Sequence, residues 1–589
     1  MKISEKKKYR PTKTDLAALL VFCALAALLL TGARHAPVGE DESFYYVTAL
    51  RLLRSDRMFI DEWHLTQTSA LFQMLPLALY TTLTKSTDGA LLFMRYVFIA
   101  ADLLICFYAC FKLKPFGAWT AILATTLFAS DLFAGIYALN YYNMAIRFAL
   151  LTGILLFLPQ KHPRLQTAIA GVTLSCAVIS QPILAFVYLA FSLLVLITEL
   201  TKKAGKPIFI GYSFVLNGKT WRLLTCGIFG SAAAFLLYLC FSVKGSLGEL
   251  SENIPQMLHN SEYVITSIGN IYNHIKPKIL LDTVGAFPLA AMAFLAVAAW
   301  ICDRARGGRT VRGIIFLLTQ GCFTAAVLHG YRSMLHCAVY PVTMLGLTAY
   351  LLCREKDRHV FAFWILAALC GLAVDYSSNA TILYGSRIAY VPAVYFSIKT
   401  IRELREPGAD KKRASKGIAV ISAILAGVML FSVCGYISTL TNSFAPVVRS
   451  KENVRTLDAG PLRGIVAGSA FAAQYRNVLK DLDRIKGTQG RFYVAALFPY
   501  AYLYADRPIG TYSSFYIEAD SEDRLLRYWE MHPENRPQTV YLPVEAYVSG
   551  EDAPERYPQK YIDEKLAFFR SLGSCEVTEG FAGLIVNYD

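Results

Sequence analysis

Long apolar runs recur along this chain at intervals that a water-soluble fold cannot absorb. The first, LAALLVFCALAALLL, occupies residues 16–30, and comparable runs return as far as residue 438. A helix of about 20 mostly apolar residues spans the roughly 30 Å hydrocarbon layer of a bilayer. With 55% hydrophobic and 17% charged residues over 589 positions, the chain is too apolar for a soluble protein and too long for one packed core. The pattern implies a polytopic α-helical membrane protein.

Charge sets the orientation, because short loops rich in Lys and Arg stay on the cytoplasmic side. Basic clusters lie at residues 2–13, at Lys112 and Lys114, at Lys161 and Arg164, and from Lys202 to Arg222. They return from Arg304 to Arg312, from Arg354 to Arg358, and from Arg402 to Lys416. Placing all of them inside gives about 13 spans. These are roughly 14–32, 89–111, 115–136, 144–159, 165–180, 182–199, 222–243, 279–301, 313–330, 334–352, 360–375, 386–400 and 417–438. Two conditions follow. The segment SALFQMLPLALYTTL (69–83) must lie at the outer interface without crossing, and the run 167–200 must break into two spans near Gln181-Pro182.

The chain then divides into a membrane part, 1–440, and an extracytoplasmic part, 441–589. The membrane part includes a long outer loop, 33–88. The net charge of +15 belongs to the membrane part, because the region from Ser450 on holds 16 Lys and Arg against 20 Asp and Glu. That distribution argues for loops at a cytoplasmic face and against nucleic acid. In the tail, RFYVAALF (491–498), TVYLPVEAYV (539–548) and GLIVNYD (583–589) read as strands, while YRNVLKDLDRIK (475–486) and SEDRLLRYWEMH (521–532) read as helices. The tail is therefore expected to be α/β. The 13 cysteines lie almost all in apolar runs, with no metal-ligand spacing.

The outer loop carries the chemistry-bearing residues. It opens with PVGEDESFYY (37–46), three consecutive acids at the end of the first span. The following ESFYYVTALRLLRSDRMF has helical periodicity, with Arg51, Arg54 and Arg57 on a polar side, which suits a helix along the outer surface. Asp41 and Glu42 fall at that helix's N-terminus, where the dipole favours anions, so capping and catalysis are both open to them. Asp61, Glu62 and His64 in DEWHLTQ form a second group in the same loop. Within the spans, Arg95 and Asp102 lie seven residues apart, on one helical face, where pairing is open to them and a role in helix packing is favoured.

A cytoplasmic start, one span, and an outer loop opening with Asp-Glu resemble the GT-C membrane glycosyltransferases. That group includes protein O-mannosyltransferases, lipid A aminoarabinose transferases and the oligosaccharyltransferase catalytic subunit. DESFYYVTALRLL after the first span, MRY (94–96) opening the next, and the broken pair at SQP carry the resemblance across most of 1–440. It implies transfer of a sugar from a polyprenyl-phosphate-linked donor to a glycan, lipid or protein acceptor at the outer face of the cell membrane. On this chain the essential acid of the first loop would be Asp41, with Glu42 beside it, and Asp41 would act as general base. The leaving lipid phosphate needs a cation. Arg387, at the start of a span, and His64 are the expected donors, with Lys276, Lys278 and Arg332 as further outer-face cations. Asp61, Glu62, Asn140, Asp131 and Gln181 are expected to line the cavity. Relatives often carry a second acid in the next outer loop, where GIYALNYYNM (135–144) has Asn140 and Asn143 instead. No metal ligands are assigned, a divalent metal is in doubt, and no cofactor beyond the lipid-linked substrate is implied. A transporter or flippase, or an inactive envelope-assembly scaffold, is the competing reading.

Overall fold

The computed structural model describes residues 12–36, 40–130, 136–158, 162–205, 210–212, 215–243, 247–258, 286–330, 339–377, 385–405, 454–515, 521–546 and 555–588. Asp131, Lys276, Lys278, Arg332 and the expected span 417–438 lie outside the described residues, as does the side chain of Asp41.

The first helix, α1 (Lys13–His35), starts at Thr12, where the side chain of Thr12 accepts from the Asp15 N–H and the Asp15 carboxylate accepts from the Thr12 N–H. This reciprocal cap satisfies two of the donors a helix start leaves unpaired. Phe22, Leu25, Leu29 and Ala33 form its buried stripe, whereas Leu16, Leu19, Leu20 and Leu30 are exposed. A helix apolar on every side, half of it facing outward, suits lipid. Among the described residues four helical stretches are long and apolar enough to cross a membrane: Lys13–His35, Ala90–Phe116, Pro182–Lys203 and Gly218–Val243.

Helix α2 (Glu40–Leu53) follows α1 directly. Its expected place on the outer surface is corrected: every residue from Glu42 to Leu52 is buried. The cover comes from α3 (Leu71–Thr84) and from the short helix Tyr500–Ala505 of the tail, against which α2 packs. Helix α3 has 14 residues, about 21 Å at 1.5 Å per residue and short of a bilayer core. It turns Leu75, Leu79 and Leu83 outward.

Next come α4 (Ala90–Leu113), α5 (Ala118–Ser130), α6 (Tyr141–Phe157), α7 (Pro163–Ser180), α8 (Ala185–Lys203) and α9 (Gly218–Val243). The chain breaks between α7 and α8 where Pro182 removes a donor. Gln181 is extended (φ −142°, ψ 98°), and Pro182–Leu184 form one 3-10 turn. Helices α7 and α9 touch backbone to backbone through Gly171 and Gly227. A Cβ at Gly171 would lie 2.1 Å from the Leu224 carbonyl oxygen, and one at Gly227 2.0 Å from that of Ala168. Such small-residue contacts are how membrane helices approach closely. Helix α10 (Leu247–Leu258) and the helices Ala286–Arg304, Arg309–Gly330, Val339–Leu352, Arg358–Ser377 and Tyr390–Arg405 complete the helical part.

The tail carries a four-stranded sheet. Strands Phe492–Val494 and Thr539–Pro543 are parallel, and Gly583–Tyr588 and Cys575–Glu579 continue the sheet antiparallel. Helix Ser469–Lys486 packs beside it, and its buried Asp481 accepts from the Phe581 and Ala582 N–H groups at the turn between the last two strands. Tail and bundle share their core. Apolar packing runs from α1 and α4 through Leu457, Leu462 and Tyr475 to Ile585. The Gly460 carbonyl accepts from Gly89 N–H and that of Pro461 from Leu91 N–H, so a tail loop caps the start of α4.

Candidate functional site

The site begins where α1 ends. Glu42, in the first turn of α2, receives both arms of the Arg95 guanidinium from α4: Nε to Oε1 at 2.7 Å and Nη2 to Oε2 at 2.6 Å. The third nitrogen of Arg95 donates to the carbonyls of Ala33, at 2.5 Å, and Ala36, at 3.2 Å. These are among the carbonyls that a helix C-terminus leaves without partners. One arginine thus ties the end of α1, the start of α2 and the body of α4 into one corner, with Asp41 in the turn of α2 it clamps. Both side chains are only 1% exposed. Burial raises the Glu42 carboxyl above its ordinary value while Arg95 pulls it back. A carboxylate held by two charge-assisted bonds is a structural anion.

Arg95 and Asp102 do not pair with each other. Asp102, two turns along α4, accepts instead from Nε of Arg147 on α6 at 2.7 Å. Arg147 also donates to the Asn143 carbonyl at 3.1 Å, and its guanidinium lies 4.7 Å from the Phe98 ring centre. Each charge on α4 therefore takes a partner from a different element, because the two face different neighbours. Arg147 escaped the sequence reading, although a lone arginine inside an apolar run is itself a signal.

Arg387, in the 3-10 turn Gly385–Ala389, is 5% exposed, and its guanidinium lies 5.5 Å from the ring centre of Tyr142. It faces the bundle at the start of α6, within electrostatic reach of Asp102. Its guanidinium is buried within the bundle. Asn140 and Asn143 build the turn before α6. Asn140 caps the helix by accepting from Asn143 N–H at 2.7 Å, and Asn143 donates to the carbonyls of Ile136 and Ala138. Gln181 is buried at the break between α7 and α8, where its N–H donates to the Ala177 carbonyl.

The second acid group faces the tail. Arg51 Nη1 donates to Glu62 at 2.9 Å, and Nε donates to Asp56 at 2.8 Å. Nη2 reaches the carbonyls of Asp61 and, in the tail, Thr511. Asp61 accepts from the Arg57 N–H at 2.6 Å, from the Arg57 side chain and from Asn535. Burial pulls the Asp61 carboxyl up, but these donors outweigh it and hold it below the usual range. Burial wins at Glu62, which is raised against the pull of Arg51. Trp63 is wholly buried. Its indole N–H donates to Asn253 of α10 at 2.6 Å, and its ring packs edge-on against Tyr528 of the tail.

His64, the other expected phosphate donor, lies inside the fold. It is buried beside Phe44 and Phe515, and its Nδ1 lies 2.8 Å from the Thr66 hydroxyl. Burial, with the Arg524 charge adding to it, pushes the imidazole down to about 3, so it is neutral at physiological pH. Asp61, His532 and Glu534 bring one ligand atom each within 4.8 Å. The Arg57 guanidinium already bonds Asp61 and lies 3.8 Å from Glu534, so the charge a metal would supply is in place and the group does not fit a cation site.

No protein-family profile matches the chain, and no curated protein matches it. Among solved structures it is similar to ArnT from Cupriavidus metallidurans bound to undecaprenyl phosphate, with 12% identity over 98% of each chain and a TM-score of 0.47. It is also similar to the Archaeoglobus fulgidus oligosaccharyltransferase, with 12% identity over 90% of this chain and 68% of that one and a TM-score of 0.39. AglB from the same organism, in complex with an inhibitory peptide and a dolichol-phosphate, gives 13% identity, 92% and 70% coverage and a TM-score of 0.37. At such TM-scores the likeness transfers no residue roles, and the chemistry below rests on this chain's own side chains.

Proposed function

We propose that this chain is a membrane glycosyltransferase that moves a sugar from a polyprenyl-phosphate-linked donor to an acceptor at the outer face of the membrane, with Asp41 as general base. One observation carries the reading. Arg95 fixes the start of α2 to the last carbonyls of α1 through Glu42, setting an acid-rich helix start at the end of the first span. Glu42 is committed to that clamp, which leaves proton acceptance to Asp41, one residue earlier on the same helix.

In the proposed step the acceptor hydroxyl oxygen attacks the anomeric carbon of the sugar. The bond from that carbon to the lipid phosphate breaks, its electron pair leaves with the phosphate, and the hydroxyl proton passes to the Asp41 carboxylate. Such a base contributes typically 10²–10⁴-fold. Arg387, turned into the bundle and always charged, is the proposed partner of the departing phosphate. The neutral His64 has no such role. Asn140 and Asn143 fix the backbone before α6 and Gln181 that between α7 and α8, and Asp61 and Glu62 hold the loop to the tail.

The test is reconstitution in liposomes with polyprenyl-phosphate sugars. Asp41→Asn is expected to lower transfer by about 100-fold or more without shifting the thermal midpoint, and Arg387→Ala to lower it with the midpoint little changed. Full transfer by Asp41→Asn, or a solute flux independent of Asp41, would overturn the reading in favour of a transporter.

A further inference from the structure

A cavity of about 460 Å³ opens between the first turns of α1, the last turns of α4 and the start of α5, a size in the usual range of ligand clefts, about 300–1,000 Å³. It lies at the far end of α1 from Ala33 and Glu42. Helix α1 has 23 residues, so the mouth at Lys13 lies about 30 Å along the axis from Ala33 at 1.5 Å per residue.

The walls are apolar. Leu16, Leu19, Phe107, Phe111 and Ile122 form the sides, and the small side chains of Ala18, Ala118 and Ala121 give the cleft its depth. Polar groups gather at one end only, where Thr12, Lys13, Asp15 and Lys114 form the mouth. Leu16 is 58% exposed and Phe111 59%, and both stand on helices long and apolar enough to cross a membrane. The cleft therefore opens toward hydrocarbon along its side and toward water only at the mouth.

The charges at the mouth are unequal. Lys114 Nζ donates to the Asp15 carboxylate and lies 3.5 Å from the Thr12 hydroxyl, so that pair is closed. Lys13 is exposed and makes no ion pair among the described residues. Two lysines and one acid line the mouth, which leaves a net positive charge there, and lysine is a ready phosphate binder. An apolar slot open to lipid, with a net positive rim at one end, selects an amphipathic anion.

We infer that this cleft seats an acyl chain of an anionic phospholipid, with the lipid phosphate against Lys13 at the mouth. The lipid bridges α1 to α4 and α5 at the end where the Lys114–Asp15 pair otherwise ties them. It is a site apart from the proposed donor site, and it stands whether or not the chain transfers sugars.

The experiment is native mass spectrometry of the purified full chain in mild detergent, titrated with dioleoyl phosphatidylglycerol or dioleoyl phosphatidylcholine, alongside thermal unfolding. One phosphatidylglycerol is expected to be retained per chain, with a preference over phosphatidylcholine of about tenfold and a raised midpoint. Lys13→Glu is expected to abolish the preference while leaving the midpoint in detergent alone unchanged, because an acid in the first turn is favoured by the helix dipole. Ala121→Phe, which fills the cleft from its wall, is expected to prevent retention of either lipid. Equal retention of the two lipids would overturn the inference, as would a preference untouched by Lys13→Glu. So would a midpoint shift by inorganic phosphate as large as that by the lipid. Retention seen only after removal of residues 1–11 would show that the chain's own N-terminal segment is the occupant.

Discussion

Two acid clusters in the segment 33–88 look alike as sequence and have opposite attachments. Glu42 turns into the bundle and takes Arg95 from α4, whereas Asp61 and Glu62 turn toward the tail and take Arg57 and Arg51 from their own loop. The first cluster joins three helices at one corner. The second fastens the loop to the tail through Thr511, Tyr528 and Asn535. The difference teaches that a carboxylate's role is set by where its arginine is rooted. An arginine on a neighbouring helix makes a joint between helices, and one a few residues away makes a rigid loop.

The comparison breaks most sharply at Arg95. Arg95→Met leaves Glu42 buried without its counter-charge, and about 3–5 kcal/mol of stability is expected to be lost in thermal unfolding. Adding Glu42→Gln to it should restore a large part, since removing both charges spares the desolvation penalty. If the double variant is as weak as the single, the clamp is not an ion pair in the folded protein.

At the tail-facing cluster Trp63→Ala is expected to cost a similar or slightly smaller amount, about 3–5 kcal/mol, and to speed proteolytic release of the tail. Cleavage at the unaltered rate would mean that the loop does not fasten it. The two clusters should also differ in pH response. His64 beside the second cluster has a folded value near 3 against 6.5 unfolded. Its neutral form is favoured by folding, so this stability is complete above pH 6.5 and is lost as pH falls toward 3, at about 1.4 kcal/mol per unit. His64→Gln is expected to flatten the decline of the midpoint between pH 6 and 4, roughly the upper part of that window; an unchanged slope would contradict it. The smallest effect is at Arg57–Glu249, whose glutamate is 43% exposed. Glu249→Gln is expected to cost under about 1 kcal/mol, checked by the same melts with and without added salt.

Much of the architecture was legible in the residues. The apolar period marks α1, α4, α8 and α9 because a bilayer demands length and apolarity together. Pro182 marks the break after α7, because it can neither donate nor continue a helix. Glycine- and proline-bounded, β-branched stretches mark the tail strands at 492–494, 539–543 and 583–588. The candidate site was legible only in part. The acids of PVGEDESFYY stand out through their position at the end of a span. The pairing of Glu42 with Arg95 and of Asp102 with Arg147 does not, because seven-residue spacing says which side chains share a helix face and nothing about which helix lies opposite.

What the sequence determined by itself is what depends on local chemistry: helix lengths, the broken run at Gln181-Pro182, the capped start of α1 at Thr12, and an acid-rich opening to α2. What only the tertiary structure decided is which charges are buried and by whom they are neutralised. Arg51 sits in sequence like an ordinary polar-face residue and Arg95 like a charge within a span, yet each ends 2% exposed or less, because helices and tail close over them. Burial of a charge is a property of everything packed around it, and that is written in no single stretch of the chain.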